Sequence, residues 1–186
     1  KKLLLHVCCA PCASACVERL LDEGREIILF FSNSNIATRE EFGKRLLYVQ
    51  QLAEIHHLEL LVDEYQHDAW LRTVSAVENH AGEPEGGLRC RACFTHSLGR
   101  AAAKAEEMNL NFATTLTVSP HKNSRLIFEV GSRFQGFEPW DFKKKDGFKR
   151  SLELSKNIVS TVRVSAAANF LFASEKKKAP AGGTPG

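Results

Sequence analysis

The sequence predicts one α/β domain in which a mainly parallel sheet is flanked by helices. Short apolar runs alternate with stretches of helical periodicity along most of the chain. The runs are continuously apolar, as strands covered on both faces read. A length of 186 residues supports one domain with a sizeable core but is short for two.

The elements follow in order. Lys2–Val7 is an apolar run ending at Cys8 and Cys9, read as a buried strand. Ala13, Cys16, Val17, Leu20 and Leu21 share one helical face, and Gly24 suits the left-handed residue that ends a helix. Ile27–Phe31 is a second strand. Thr38 and Glu41 have capping-box spacing, and Phe42, Leu46, Val49 and Ala53 recur at helical intervals. Leu58–Val62 is a third strand, residues 67–78 read as helix, and 80–87 (HAGEPEGG) as loop. A long helix is expected from about Cys90 to Met108. Then come a strand at Asn111–Leu116, a polar loop with Ser119-Pro120, a helix near 122–132, a last strand at Phe137–Phe142 and a last helix at Lys149–Lys156.

Charged residues make up 25% and hydrophobic ones 44%, the balance of a soluble globular chain. No apolar run is long enough to span a bilayer. The basic-then-apolar start lacks the long apolar segment and cleavage site of a signal peptide. The net charge of +3 permits an anionic partner without requiring one. Neither a Walker A nor a GxGxxG pattern is present, so nothing points to a nucleotide-phosphate cradle.

Six cysteines, Cys8, Cys9, Cys12, Cys16, Cys90 and Cys93, lie in two tight clusters in the first half. A disulfide framework spreads its cysteines, so clustering favours metal or redox chemistry in a reducing compartment, the cytoplasm. Cys8 and Cys9 fall at the carboxyl end of the first strand, where α/β sheets form sites and where a helix N-terminus stabilises thiolates. Cys90-Arg-Ala-Cys93 can present two sulfurs from one helical turn. Together the two pairs make a four-thiolate set that suits Zn²⁺ or an iron–sulfur cluster. A closed structural zinc site and a dithiol without metal are the competing readings. The dithiol is disfavoured because a thioredoxin-like C-x-x-C follows the first strand directly. Cys16 belongs to the apolar stripe and reads as a small core residue. Cys12 stands beside the pair, either as a bystander or as a replacement ligand. His6 either lines the site or sits satisfied in the core, and His56-His57 read as an exposed helix end. The basic run from Lys143 to Arg150 is a solvated face or a phosphate contact.

Five segments in order, LLLHVCCAPC, FSNSNI followed by EFGKR, GGLRCRACF, TTLTVSPHK and DFKKKDGFKRSLELSK, resemble the QueH type of epoxyqueuosine reductase over about Lys2 to Lys156. The resemblance implies a fold of the adenine-nucleotide α-hydrolase (HUP) kind. It implies reduction of epoxyqueuosine to queuosine at the wobble position of tRNA, the last step of queuosine formation. It also implies a [4Fe–4S] cluster on Cys8, Cys9, Cys90 and Cys93, with room for an additional iron. The partners implied are a tRNA carrying epoxyqueuosine in its anticodon loop and a separate electron donor. The family's cysteine site at Cys12 is variable and is not carried over. By position, Lys122 and Arg150 are candidates for tRNA phosphates, and Ser119 and Asp141 for the substrate pocket.

The chain departs from that family after Lys156. The family continues to Arg-Gln-x-aromatic-Cys-Gly-Cys, a redox-active dithiol, whereas residues 157–170 here hold no cysteine. Permitted codons for Thr161–Phe170, ACC GTC AGA GTT TCT GCG GCT GCG AAT TTC, spell Arg-Gln-Ser-Phe-Cys-Gly-Cys-Glu-Phe when read from the last base of the Thr161 codon. A one-base shift just after Ile158 is therefore expected. Residues 1–157 then form the family-like domain and 158–186 an out-of-frame tail with no catalytic cysteine.

Overall fold

A computed structural model of the chain describes residues 2–156. Four parallel strands, β1 (Leu3–Val7), β2 (Ile27–Phe31), β3 (Glu59–Val62) and β4 (Asn111–Thr114), lie in the order β3-β2-β1-β4. The helices are α1 (Ala10–Asp22), α2 (Arg39–Ile55), α3 (His67–Ser75), α4 (Leu88–Glu107) and α5 (Ser124–Gly131). A 3₁₀ turn follows β4 at Thr115–Val118, and residues 147–156 form a further helix, α6.

The two-residue period of a strand divides the core into two layers. Leu3, Leu5 and Val7 of β1 and Ile27, Leu29 and Phe31 of β2 face α1 and α2, where Ala13, Cys16, Val17, Leu20, Val49 and Leu52 meet them. Leu4, Ile28, Phe30 and Phe112 face the other way, onto Phe94, Leu98 and Ala101 of α4 and Leu126, Ile127 and Val130 of α5. All five β1 residues are buried, because the strand is paired on both sides and covered on both faces. β3, at one sheet edge, is partly exposed throughout, and β4, at the other, only at Asn111. The continuous apolar runs of β1 and β2 therefore mark double burial, as the sequence suggested.

The caps follow local chemistry. Gly24 takes φ +71 beyond the end of α1, and the Gly24 and Arg25 amides donate to the carbonyls of Leu21 and Leu20. The Thr38 hydroxyl accepts from the Glu41 amide at 3.2 Å, but the Glu41 carboxylate turns to Arg45 at 2.7 Å rather than back to Thr38. Only half of the capping box forms.

The expected last strand is reduced to a single bridge, Phe112 with Phe137. The Glu138 amide donates to the Phe112 carbonyl at 2.8 Å, but the next amide on that side, Trp140, turns back to the Glu138 carbonyl at 3.0 Å, and the ladder ends. The remainder of the segment is held by side chains instead. Trp140 stacks on Phe142, and the guanidinium groups of Arg19 and Arg25 lie over Trp140 at 5.5 and 5.8 Å. The expected strand at Asn111–Leu116 turns into the 3₁₀ turn after Thr114, whose hydroxyl accepts from the Leu116 amide. The helix expected at 67–78 stops at Ser75.

Glu138 fixes this edge. Its carboxylate accepts from Arg25 at 2.9 Å and from Asn111 and Trp140 at 3.0 Å each. Burial opposes ionisation, but the three donors and the Arg25 charge outweigh it and hold the carboxyl down at about 2. A carboxyl depressed on folding stabilises the protein above its ordinary value of 4.5 and loses that contribution as pH falls toward 2. Glu138→Gln is accordingly expected to cost on the order of 2 kcal/mol in urea unfolding at pH 7. The gap to the wild type should close between pH 4.5 and 2.

Candidate metal centre

Cys8, Cys9 and Cys12 converge at the carboxyl end of β1, and among the described residues no ligand group joins Cys90 or Cys93 to them. Cys8 follows the last strand residue, Cys9 is the residue preceding α1, and Cys12 lies within the first helical turn beside Pro11. Cys8 continues the parity of Leu4 and packs on the α4 side, together with Cys90, whereas Cys12 packs on the α1 side. The Cys8 and Cys9 sulfurs are 3.9 Å apart. Among the described residues, Cys8, Cys9 and Cys12 form a group whose three sulfurs lie within 4.8 Å of one another, a set able to hold a metal ion. Cys12 thus stands with the adjacent pair. Its spacing signals this, because the residue three after a helix cap returns over that cap.

Cys90 and Cys93 occupy the first turns of α4. Each carries a hydrogen-bond donor on its sulfur. The Gly86 amide donates to Cys90 and the Trp70 indole N–H to Cys93, both at 3.3 Å. The Thr115 hydroxyl donates to Cys8 at 3.4 Å. Sequence reading did not find Trp70 or Thr115, since both reach the cysteines from distant elements.

One cation serves both clusters. Lys122, half-buried, draws down the thiols of Cys8 and Cys93. The Cys8 thiol is held well below its ordinary range, by hydrogen bonds from Cys12 and Cys9 first, against the opposing effect of burial. The nearby Cys12 thiol favours ionisation of Cys9, but contact with Cys8, burial and the Cys8 charge prevail and push Cys9 up to about 12. Its contacts with Cys8 and Cys9 push Cys12 up too. Burial raises Cys93, opposed by Trp70 and Lys122. Ionisation of Cys8 therefore opposes ionisation of the two sulfurs beside it. Ionising the others calls for a multivalent cation between them.

His6 is a satisfied core residue. Its Nε2 lies 3.0 Å from the Ser32 carbonyl, which can only accept, so Nε2 carries the proton and Nδ1 accepts from the Thr114 hydroxyl at 2.9 Å. Burial lowers its pKa and keeps it neutral. Cys16 is fully buried in the α1 layer, the place its position in the apolar stripe indicated. His56 ends α2 half-buried, and His57 is exposed.

The four candidate substrate residues separate into two pairs. Ser119 follows the 3₁₀ turn and accepts from the Lys122 amide, so both lie at the cysteine end of the sheet. Asp141 and Arg150 are placed against the far half of α1. The Asp141 carbonyl accepts from Arg19 at 2.9 Å, and the Arg150 guanidinium is engaged by Glu18 and Glu153. Glu18 and Arg19 stand roughly 13–15 Å along the helix axis from Cys9. Residues 158–186, expected to be out of frame, lie outside the described residues.

A parallel α/β sheet with a sulfur-rich, metal-competent centre at its carboxyl ends defines a class of redox or metal-dependent α/β proteins. Within that class, the family profile described as epoxyqueuosine reductase QueH matches residues 3–159. Relatives named epoxyqueuosine reductase QueH include one from Streptococcus pyogenes serotype M1, 38% identical over 164 residues, covering 82% of this chain and 63% of that protein. One from Acinetobacter baylyi is 37% identical over 162 residues, with 83% and 73% covered. One from Thermotoga maritima is 30% identical over 162 residues, with 84% and 82% covered. The chain belongs to the epoxyqueuosine reductase QueH family. It spans 63% of the length of the Streptococcus relative.

Cys16→Ala is expected to leave metal content unchanged while lowering stability by about 1 kcal/mol, since it removes one buried sulfur from the core. Urea unfolding and metal analysis of the same preparation check both parts.

Proposed function

We propose that this chain is an iron–sulfur-dependent reductase of the cytoplasm. It would act on epoxyqueuosine at the wobble position of tRNA and take electrons from a separate donor protein. The observation that carries this reading is the convergence of free cysteines at the carboxyl end of β1 in a chain of this family. The donor set suits a [4Fe–4S] cluster held by Cys8, Cys9, Cys90 and Cys93. Four thiolates match its ligation, and N–H and O–H groups of Trp70, Gly86 and Thr115 already point at three of the sulfurs. Cys12 is the sulfur left over beside the pair and offers a ligand to an additional iron.

Removing the epoxide oxygen to leave an alkene consumes two electrons and two protons and releases water. A bound [4Fe–4S] cluster supplies electrons one at a time. The chain's own residues set the surroundings. Lys122 places positive charge beside Cys8 and Cys93, favouring their thiolates and an anionic substrate at the same end of the sheet. Ser119 offers a hydroxyl next to it. Thr115, which donates to Cys8 and accepts from the Cys8 amide at 3.2 Å, fixes that cysteine's backbone and sulfur together. The substrate base lies in an unpaired loop, which proteins read by splaying bases out.

The family match ends at residue 159, next to the expected frame shift after Ile158. This supports reading 158–186 as out of frame and the chain as a crippled enzyme that still holds its cluster. Anaerobically purified protein is expected to carry about four irons per chain with a broad absorption near about 400 nm. One zinc and no colour would instead make it a structural or tRNA-binding zinc domain. Turnover of epoxyqueuosine-tRNA should rise steeply when residues 161–170 are replaced by the in-frame Cys-Gly-Cys sequence. Equal turnover by the two proteins would refute the loss of function.

A further inference from the structure

Beside the cysteine centre, at the same carboxyl end of the sheet, lies a shallow groove of about 480 Å³ that the reductase reading leaves unused. Arg39 enters it from the first turn of α2, Tyr65 and Gln66 from the loop after β3, and His67, Asp68 and Arg72 from α3. The walls combine cations with aromatic faces. The Arg39 guanidinium lies 5.0 Å over the Tyr65 ring. Tyr65 stacks on His67 at 6.1 Å, and His67 on Trp70 at 5.3 Å. Trp70 in turn donates to Cys93, so a continuous row of rings joins the groove to the cysteines.

The rings are held rigidly from behind. The Tyr65 hydroxyl donates to the Ile36 carbonyl at 2.7 Å, its ring packs on Phe42, and His67 Nδ1 is fixed by the Ser34 carbonyl at 2.9 Å. The arginines, by contrast, lack carboxylate partners. Arg19, Arg25, Arg45, Arg91, Arg100, Arg133 and Arg150 form ion pairs, whereas among the described residues Arg39 and Arg72, like Arg89 and Arg125 elsewhere, form none. The single carboxylate of the groove, Asp68, sits in the first turn of α3, where it complements the helix N-terminus. The groove thus carries one net positive charge over a rigid aromatic wall, the combination that binds a single-stranded nucleic acid through phosphate and base face together.

We propose that this groove is a second RNA subsite. It holds a nucleotide of the anticodon loop next to the modified base, with Arg39 and Arg72 on its phosphates and the Tyr65–His67 edge against its base. The proposal rests on the tRNA reading above and adds a location to it. The groove is separate from the cysteines, so its contribution is to positioning and affinity rather than to chemistry.

The test is binding of the full chain to an RNA hairpin with an unpaired loop, measured by fluorescence anisotropy across a salt series. The double variant Arg39→Gln/Arg72→Gln is expected to bind on the order of tenfold more weakly, with a log–log salt slope smaller by about 0.7 per arginine. Arg39→Lys/Arg72→Lys is expected to recover the slope, because it keeps the charges. Circular dichroism establishes that each variant is folded, and Lys104→Gln, on the far part of α4, serves as a cation-loss control. A Gln/Gln variant with wild-type affinity and slope overturns the subsite, as does a loss no greater than that of Lys104→Gln. If the wild-type chain binds the hairpin no better than a fully paired RNA duplex, the tRNA reading itself fails, and the subsite with it.

Discussion

The burial of β1 is the constraint on which the site depends. The strand pairs with β2 on one side and β4 on the other and is covered by helices on both faces, so none of its residues has freedom to slip. A one-residue shift would exchange the residues facing the two layers and place His6, tied to Ser32 and Thr114, where no partner awaits it. With the register fixed, Cys8 must leave the strand toward α4 and Cys9 must begin α1. The site is thus an outgrowth of the most immobile segment of the fold, which suits a centre that must hold several ligands in fixed geometry.

The electrostatics of that place are unbalanced by design of the chain. Three thiols crowd together near one half-buried lysine, and their mutual interactions favour ionisation of Cys8 while opposing that of its neighbours. Polar donors from three other elements, Trp70, Gly86 and Thr115, aim at cysteine sulfurs rather than at oxygen acceptors. A purely structural cluster of thiols would gain little from such donors, since neutral thiols are weak acceptors. The arrangement makes sense around thiolates that share a cation.

The segment from Phe137 to Arg150 has a different role from the one its basic composition suggests. Glu138, Trp140 and Asp141 are anchored by the arginines of α1 and the start of β2, and Lys143 reaches the Lys122 carbonyl. This stretch runs along α1, and Lys143 ties its middle to the loop that carries Lys122. Arg150, which composition marks as a phosphate contact, is committed to Glu18.

The sequence by itself determined the layered α/β architecture, because doubly buried strands and amphipathic helices have distinct periodicities. It also determined the helix stop at Gly24 and the core place of Cys16, and it pointed to the two cysteine clusters. Tertiary structure decided what periodicity cannot encode. It gathered Cys12 with Cys8 and Cys9, brought Trp70 and Thr115 onto the sulfurs, sent Asp141 and Arg150 to the other half of α1, and cut the last strand to one bridge at Phe137. Local patterns report which face of an element is apolar. Which distant side chain completes a sulfur's hydrogen bonds, or neutralises an arginine, depends on how those faces stack, and that is fixed only when the sheet closes around β1.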